Sequence, residues 1–328
     1  MTSLSRNTIR LSIGAIIAVL ALIVQLRAGA FAQELFADAA ILSIFAISLD
    51  IMARAGLVSF GHAGFLGLGA YVFGGLAVLQ NWPPALAMLF GVLAGIVIGI
   101  AVGVFAVRTT GAFFIMVTLA AAEMFYAWVF RSPIFNGADG MGGIPRLDMR
   151  GVGFDLNNPK TFATFCILLC VFTWIVAEYL ASTPFGRTLD AIRQNASRVA
   201  ALGGRVFYYR LAAFGVSGAF GAFAGALKAQ HTNFLSPDLA SWFVSGDVLI
   251  AVVIGGLGTF VGGIIGSGLL VYLKEFLSSN FGHWYLFLGI IFIGVALIIP
   301  NGIVGTFLNW IDSRRMRALP PPSQEDEP

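Results

Sequence analysis

Unbroken apolar runs decide which architectures are open to this sequence. AMLFGVLAGIVIGIAVGVFAV, at 87–107, contains no charged residue. Wound as an α-helix at about 1.5 Å per residue, it is long enough to cross the ~30 Å hydrocarbon core of a bilayer. Only helices and closed barrels satisfy their backbone polar groups in lipid, and a barrel strand would alternate apolar and polar residues. These runs do not alternate, so the expectation is helical. Charge supports it: 11% of the residues are Asp, Glu, Lys or Arg, where a soluble chain carries about 25%. A content of 58% hydrophobic residues excludes disorder, and the 40 glycines show no period of three, which excludes collagen.

Apolar segments fall at about 9–28, 35–54, 57–79, 84–107, 111–130, 161–181, 207–230, 244–256, 259–277 and 284–309. The fold class expected is therefore all-α: a polytopic transmembrane helical bundle of about ten membrane segments, some broken or re-entrant. The 244–256 run is too short to span, and GGLG at 255–258 separates it from the next, as in a helix interrupted inside protein. GLVSFG at 56–61 is a second candidate break. The first run, 9–28, lacks a small-residue cleavage site and reads as a retained span.

Basic residues set the expected orientation. Arg187, Arg193, Arg198, Arg205 and Arg210 crowd into 182–210, and Arg314, Arg315 and Arg317 follow residue 311. Both stretches belong on the cytoplasmic side, which places both termini there. The loop 131–160, where arginines are offset by Asp139, Asp148 and Asp155, belongs outside. A transmembrane domain is expected over 1–311 and a Pro-rich, acidic, disordered tail over 312–328. GLVSF (56–60) and GLGTF (256–260) echo each other 200 residues apart; related halves and a chance match in Gly-rich sequence both account for this.

Motifs for chemistry are missing. No Gly-Lys pair exists to build a phosphate-cradling loop, and no HExxH, CxxC or GxSxG occurs. Catalysis and metal binding by this chain are not expected, and the small net charge of +3 gives no reason to expect nucleic acid. Cys166 and Cys170, four apart in one apolar run, read as small packing residues.

The polar groups inside apolar runs are the candidates for function, because a lone ionised side chain in hydrocarbon is costly. Asp50 and Arg54 are one turn apart and can form an ion pair, structural or gating. Glu123 has no local partner and serves either a structural bond or a solute pathway. Asp247 is expected near the outer mouth, solvated. Ser59, Phe60 and His62 sit in a Gly-rich stretch, where a helix break would free backbone groups to meet a solute. The alternative there is close packing through glycine with His62 bonded to a carbonyl. The glycines at 64, 67, 69, 262, 263, 266 and 268 read as packing residues. In 183–210, Pro184 can start a helix and Gly203-Gly204 end it, while Leu189, Ile192, Val199 and Leu202 form an apolar stripe on a basic helix. Such a helix lies on lipid headgroups or fits a partner.

GLVSFGHAGFLGLGAYV (56–72), TTGAFFIMVTLAAAEM (109–124), TPFGRTLDAIRQNASRVAALG (183–203), YRLAAFGVSGAFGAFAGAL (209–227), VVIGGLGTFVGGIIGSG (252–268) and PNGIVG (300–305) occur in that order. Together they resemble LivM-type permeases of branched-chain amino acid ABC importers. The resemblance implies a non-catalytic permease subunit of the bacterial inner membrane, and it makes 183–206 a coupling helix seated on an ATP-binding subunit. Phe185, Gly186, Arg187, Asp190, Arg193, Arg198, Ala200, Ala201 and Gly203 are then its docking residues. Where such loops carry acidic residues before the Ala-Ala-x-Gly stretch, this chain has Gln194, Asn195, Ala196 and Ser197. The implied partners are a second, LivH-like permease, two ATP-binding cassette subunits that hold ATP and Mg, and a periplasmic substrate-binding protein. The substrate class is branched-chain amino acids or related small solutes. An ion-coupled secondary transporter or channel, using Glu123, Asp50 or Asp247, is the rival expectation.

Overall fold

A computed structural model describes residues 3–299 and 302–306. The expected tail at 312–328, and the end of the membrane domain from 307 to 311, lie outside the described residues. Eleven α-helices are described: α1 Ser3–Arg27, α2 Ala30–Arg54, α3 Ala63–Gly74, α4 Pro84–Ala106, α5 Ala112–Arg131, α6 Pro159–Ser182, α7 Pro184–Ala201, α8 Val206–Thr232, α9 Trp242–Gly255, α10 Phe260–Asn280 and α11 Trp284–Ile298. A π-helical turn, Gly75–Leu79, extends α3. The all-α expectation holds, but the ten apolar segments are not ten equal spans. Six helices (α2, α4, α5, α6, α8 and α10) are long and apolar enough to cross a membrane, and four apolar stretches are shorter. At about 1.5 Å per residue, the 14 residues of α9 reach only about 21 Å.

Helices α2 and α8 form the centre. In their most apolar stretches 72% and 67% of residues are buried, against 22% in α4 and in α5, which lie at the perimeter. α8 carries α2, α3 and α4 around it, and α2 also packs α6 and α10. α4 meets α8 through an all-small face: its buried residues are Ala87, Gly91, Gly95, Gly99, Gly103 and Ala106, four apart apart from the last. A Cβ on Gly95 would stand 2.4 Å from the Gly218 carbonyl oxygen, and one on Gly218 would stand 2.3 Å from that of Gly95. With no hydrophobic force between helices in lipid, such close backbone approach supplies the van der Waals contact that holds them. The glycines read as packing residues mostly do this work. A Cβ on Gly69 would meet the Ala222 carbonyl at 2.0 Å and one on Gly266 the Ala251 carbonyl at 1.9 Å, whereas Gly268 has nothing within 4 Å.

Both expected helix breaks are present. α2 stops at Arg54 and α3 starts at Ala63, so 55–62 is an irregular segment, and residues 256–259 separate α9 from α10. α9 and α10 fold back on one another closely enough that a Cβ on Gly255 would lie 1.8 Å from the Gly262 carbonyl. The loop 131–160 is partly built. Met141–Gly142 (β1) pairs antiparallel with Phe234–Leu235 (β2). Arg146 donates to the Gln230 and Leu156 carbonyls at 3.1 and 2.7 Å, with its guanidinium 4.3 Å from the centre of the Phe162 ring. Asn158 caps α6 by accepting from the Lys160 N–H, ahead of Pro159 in the first turn.

Candidate functional site

The segment 183–203 folds as its residues dictate at both ends. Pro184 occupies the first turn of α7, and Gly203, at φ +85°, follows its end. Its middle differs from the single helix expected. Asn195 is extended (φ −159°, ψ 95°), and its side-chain oxygen accepts from the Arg198 N–H at 2.9 Å. Asn195 thus caps a second short helix, a role for which asparagine is well suited. This break splits the apolar stripe. Leu189 and Ile192 are buried at 2% exposure, whereas Leu202 is 84% exposed.

The break also sorts the residues expected to dock a partner. Gly186 is buried where a Cβ would meet Ala181 Cα at 2.4 Å, and Phe185 stacks on Tyr209, so these two face inward. Arg187, Arg193, Arg198, Ala200, Ala201 and Gly203 are exposed. The result is an anchored inner face and a cationic outer face.

Asp50 and Arg54 do not form the direct pair that their spacing allows. Asp50, fully buried, accepts from the Gly258 N–H at 2.8 Å. Arg54, 6% exposed, donates to the Gly258 carbonyl at 3.3 Å and to the Asp190 carboxylate at 3.4 Å, with its guanidinium 4.6 Å from the centre of the Phe260 ring. The two charges share a helix face, but the Gly258 backbone comes between them and takes one bond from each. Gly258 has φ +83°, a left-handed conformation that glycine adopts without penalty. A Cβ there would stand 2.9 Å from Arg193 Nη1, and one on Gly56, also at positive φ, would stand 3.5 Å from Arg193 Cα. The two echoing pentapeptides, GLVSF and GLGTF, therefore each contain a glycine that abuts the same α7 residue, Arg193.

His62 is fully buried, with Nε2 at 2.7 Å from Ser48 Oγ and 3.4 Å from Ser217 Oγ. The expected carbonyl partner is replaced by hydroxyls on α2 and α8. Ser48 Oγ donates to the Phe45 carbonyl at 2.7 Å and Ser217 Oγ to the Ser48 carbonyl at 2.6 Å. Each hydroxyl has one proton, so Nε2 carries the hydrogen towards Ser48, and Nδ1 is a buried acceptor without a partner among the described residues. Ser59, buried, accepts from the Gly61 N–H at 3.2 Å and lines a cavity of about 60 Å³ with Gly64, Thr118, Ala122 and Phe214. His62 and Glu123 do not line that cavity, and neither does the half-buried Phe60. Glu123 is half-buried, with Oε1 enclosed and without a hydrogen-bond partner among the described residues. The four pathway candidates do not converge on one site.

A charged cluster away from α7 escaped the sequence reading. Asp38 pairs with Lys228 and Asp247 with Lys274, and the Glu34 carboxylate lies 3.3 Å from His231 Nδ1. Asp247 is therefore paired rather than merely solvated. The signal was present in part: Glu34 and Asp38 are one turn apart on α2, and Lys228 and His231 three apart on α8, so each helix shows a like-signed pair on one face.

The chain matches the family described as branched-chain amino acid transport system permease component over residues 31–296. It belongs to that family. The high-affinity branched-chain amino acid transport system permease protein LivM of Salmonella typhimurium is 28% identical over 282 residues, covering 77% of this chain and 65% of that protein; LivM of Escherichia coli gives the same figures. The autoinducer 2 import system permease protein LsrC of Yersinia pseudotuberculosis is 25% identical over 253 residues, covering 74% of this chain and 68% of that protein. This chain spans about two thirds of the length of the LivM proteins. No solved structure matches. The family match begins in α2 and ends within α11, so it contains α7, both helix breaks and every candidate residue discussed above.

Proposed function

We propose that this chain is the membrane-spanning, non-catalytic permease subunit of an ATP-binding cassette importer of the bacterial inner membrane. It would carry branched-chain amino acids or related small solutes, with both termini on the cytoplasmic side. The supporting observation is α7. Eighteen residues, too polar to cross lipid, are anchored by buried Leu189 and Ile192 and expose Arg187 and Arg198, while the Arg193 guanidinium reaches back to Gly258. Such a helix would serve as a lever against a partner, and membership of the permease family supports an ATP-binding subunit in that place. ATP and Mg would be held there, none in this chain. A second, LivH-like permease and a periplasmic substrate-binding protein would complete the assembly, with lipid around α4 and α5. Closure of the ATP-binding dimer would push α7 and switch the pathway between its two openings. The binding protein would supply most of the substrate affinity, so the conduit needs few polar groups.

The test is co-expression with an ATP-binding subunit and a second, LivH-like permease, followed by uptake into vesicles. Uptake that needs ATP and the ATP-binding subunit supports the reading. Uptake by this chain alone, driven by an ion gradient, would replace it with a secondary transporter.

A further inference from the structure

Both backbone groups of Gly258, the N–H and the C=O, are held by side chains from the last turn of α2: Asp50 at 2.8 Å and Arg54 at 3.3 Å. The residue so held is the turn between α9 and α10. Arg54 also reaches α7 through Asp190 at 3.4 Å, and Arg193 lies against Gly56 with its stem and against Gly258 with its guanidinium. One guanidinium thus touches three things at once: the coupling segment, a helix break, and the ring of Phe260 at the start of α10.

Packing alone does not call for this arrangement. Burying a carboxylate and a guanidinium is expensive, and apolar side chains of the same size usually stabilise as well or better. One Asp50 oxygen and the Arg54 Nε have no hydrogen-bond partner among the described residues. The bond to Asp190 is different in kind. It is about as long as the bond to the Gly258 carbonyl, but the Asp190 side chain is 37% exposed, so water screens it more than the others and it is the joint a moving α7 would load first.

We propose that Arg54 is a positioning residue that transmits displacement of α7 to the α9–α10 break, with Asp190 as its contact on α7 and the Gly258 backbone as its contact at the break. The inference rests on the importer reading, since α7 must be moved by a partner.

Leu257, between the two glycines of the break and 43% exposed, provides a reporter that needs no knowledge of the solute. The native thiols Cys166 and Cys170 are buried. In the complete co-purified complex carrying Leu257→Cys, maleimide labelling is timed with and without ATP and vanadate trapped on the ATP-binding subunits. The labelling rate is expected to change about fivefold or more on trapping, the lower end of coupling between distant sites. Arg54→Gln and Asp190→Asn should each abolish that change, Asp190→Glu should keep it, and the double variant should do no more than Arg54→Gln alone. A merely structural role would lower the yield of complex and leave the nucleotide-dependent change intact. Equal labelling in both states without other substitutions, including none in either, overturns the proposal, as does a full response in Asp190→Asn. Should Arg54→Gln fail to assemble, Asp190→Asn decides; loss of the complex in both assigns a structural role and also overturns it. Failure of the ATP-binding subunits to co-purify with the unsubstituted chain would instead refute the importer reading.

Discussion

Replacing Gly255 with alanine adds one methyl at the tightest point of the α9–α10 hairpin. That carbon would lie 1.8 Å from the Gly262 carbonyl oxygen and 2.3 Å from its carbon. A normal carbon–oxygen contact is about 3.3 Å, so the helices must part by about 1.5 Å. The obstacle is backbone on both sides, and no side chain can rotate away. Overpacking of this kind costs about 1–3 kcal/mol. Gly268→Ala is the matched control: it lies within α10 with nothing within 4 Å, and relief of the glycine penalty should gain about 0.5–1 kcal/mol. Thermal unfolding of the purified chain in detergent, followed by loss of the monodisperse peak, separates the two. At about 2 °C per kcal/mol for a chain of this size, Gly255→Ala should fall by about 2–6 °C while Gly268→Ala stays level or rises. Equal midpoints for both variants would mean that α9 and α10 do not fold back on each other as described, and the reasoning about the break would fail with them.

Three further outcomes are expected. Ser217→Ala removes the 2.6 Å bond to the Ser48 carbonyl beside His62 and should lower stability by about 1 kcal/mol, whereas Ser267→Ala, whose buried hydroxyl has no partner among the described residues, should be neutral or stabilising; the same melting assay checks the pair, and a reversed order would refute the assignment. Lys228→Met strands Asp38 in the half-buried cluster and should reduce membrane-extracted yield, with recovery in the double variant Lys228→Met/Asp38→Leu; a double variant worse than the single would show that the two are not partners. Charge reversal at Arg198, exposed beyond the Asn195 break, should weaken co-purification of the ATP-binding subunit and leave membrane insertion unchanged, and undiminished co-purification would remove Arg198 from the docking face.

What the sequence by itself determined is what depends on neighbours along the chain. Helicity, membrane character and the two breaks follow from apolar runs interrupted by Gly-rich turns, because backbone satisfaction in lipid leaves so few solutions. The ends of α7 were legible in Pro184 and Gly203. Its break at Asn195 had a local cause too, an amide able to cap the next turn, but a sequence cannot say whether asparagine will cap or simply face solvent. The tertiary structure alone decided who meets whom. Arg54 finds Asp190 across 136 residues, and Asp50 finds Gly258 across 208. Helical spacing correctly put Asp50 and Arg54 on one face, yet a competing backbone reached both of them first. His62 and Glu123 looked alike in the sequence, as polar groups in apolar surroundings. Packing set them apart: the close crossing of α8 by small residues brings Ser48 and Ser217 to His62, whereas Glu123 sits on perimeter helix α5, where no described side chain reaches its enclosed oxygen. Which faces touch is set by the depth to which backbones can approach, and that is a property of pairs of helices, never of one.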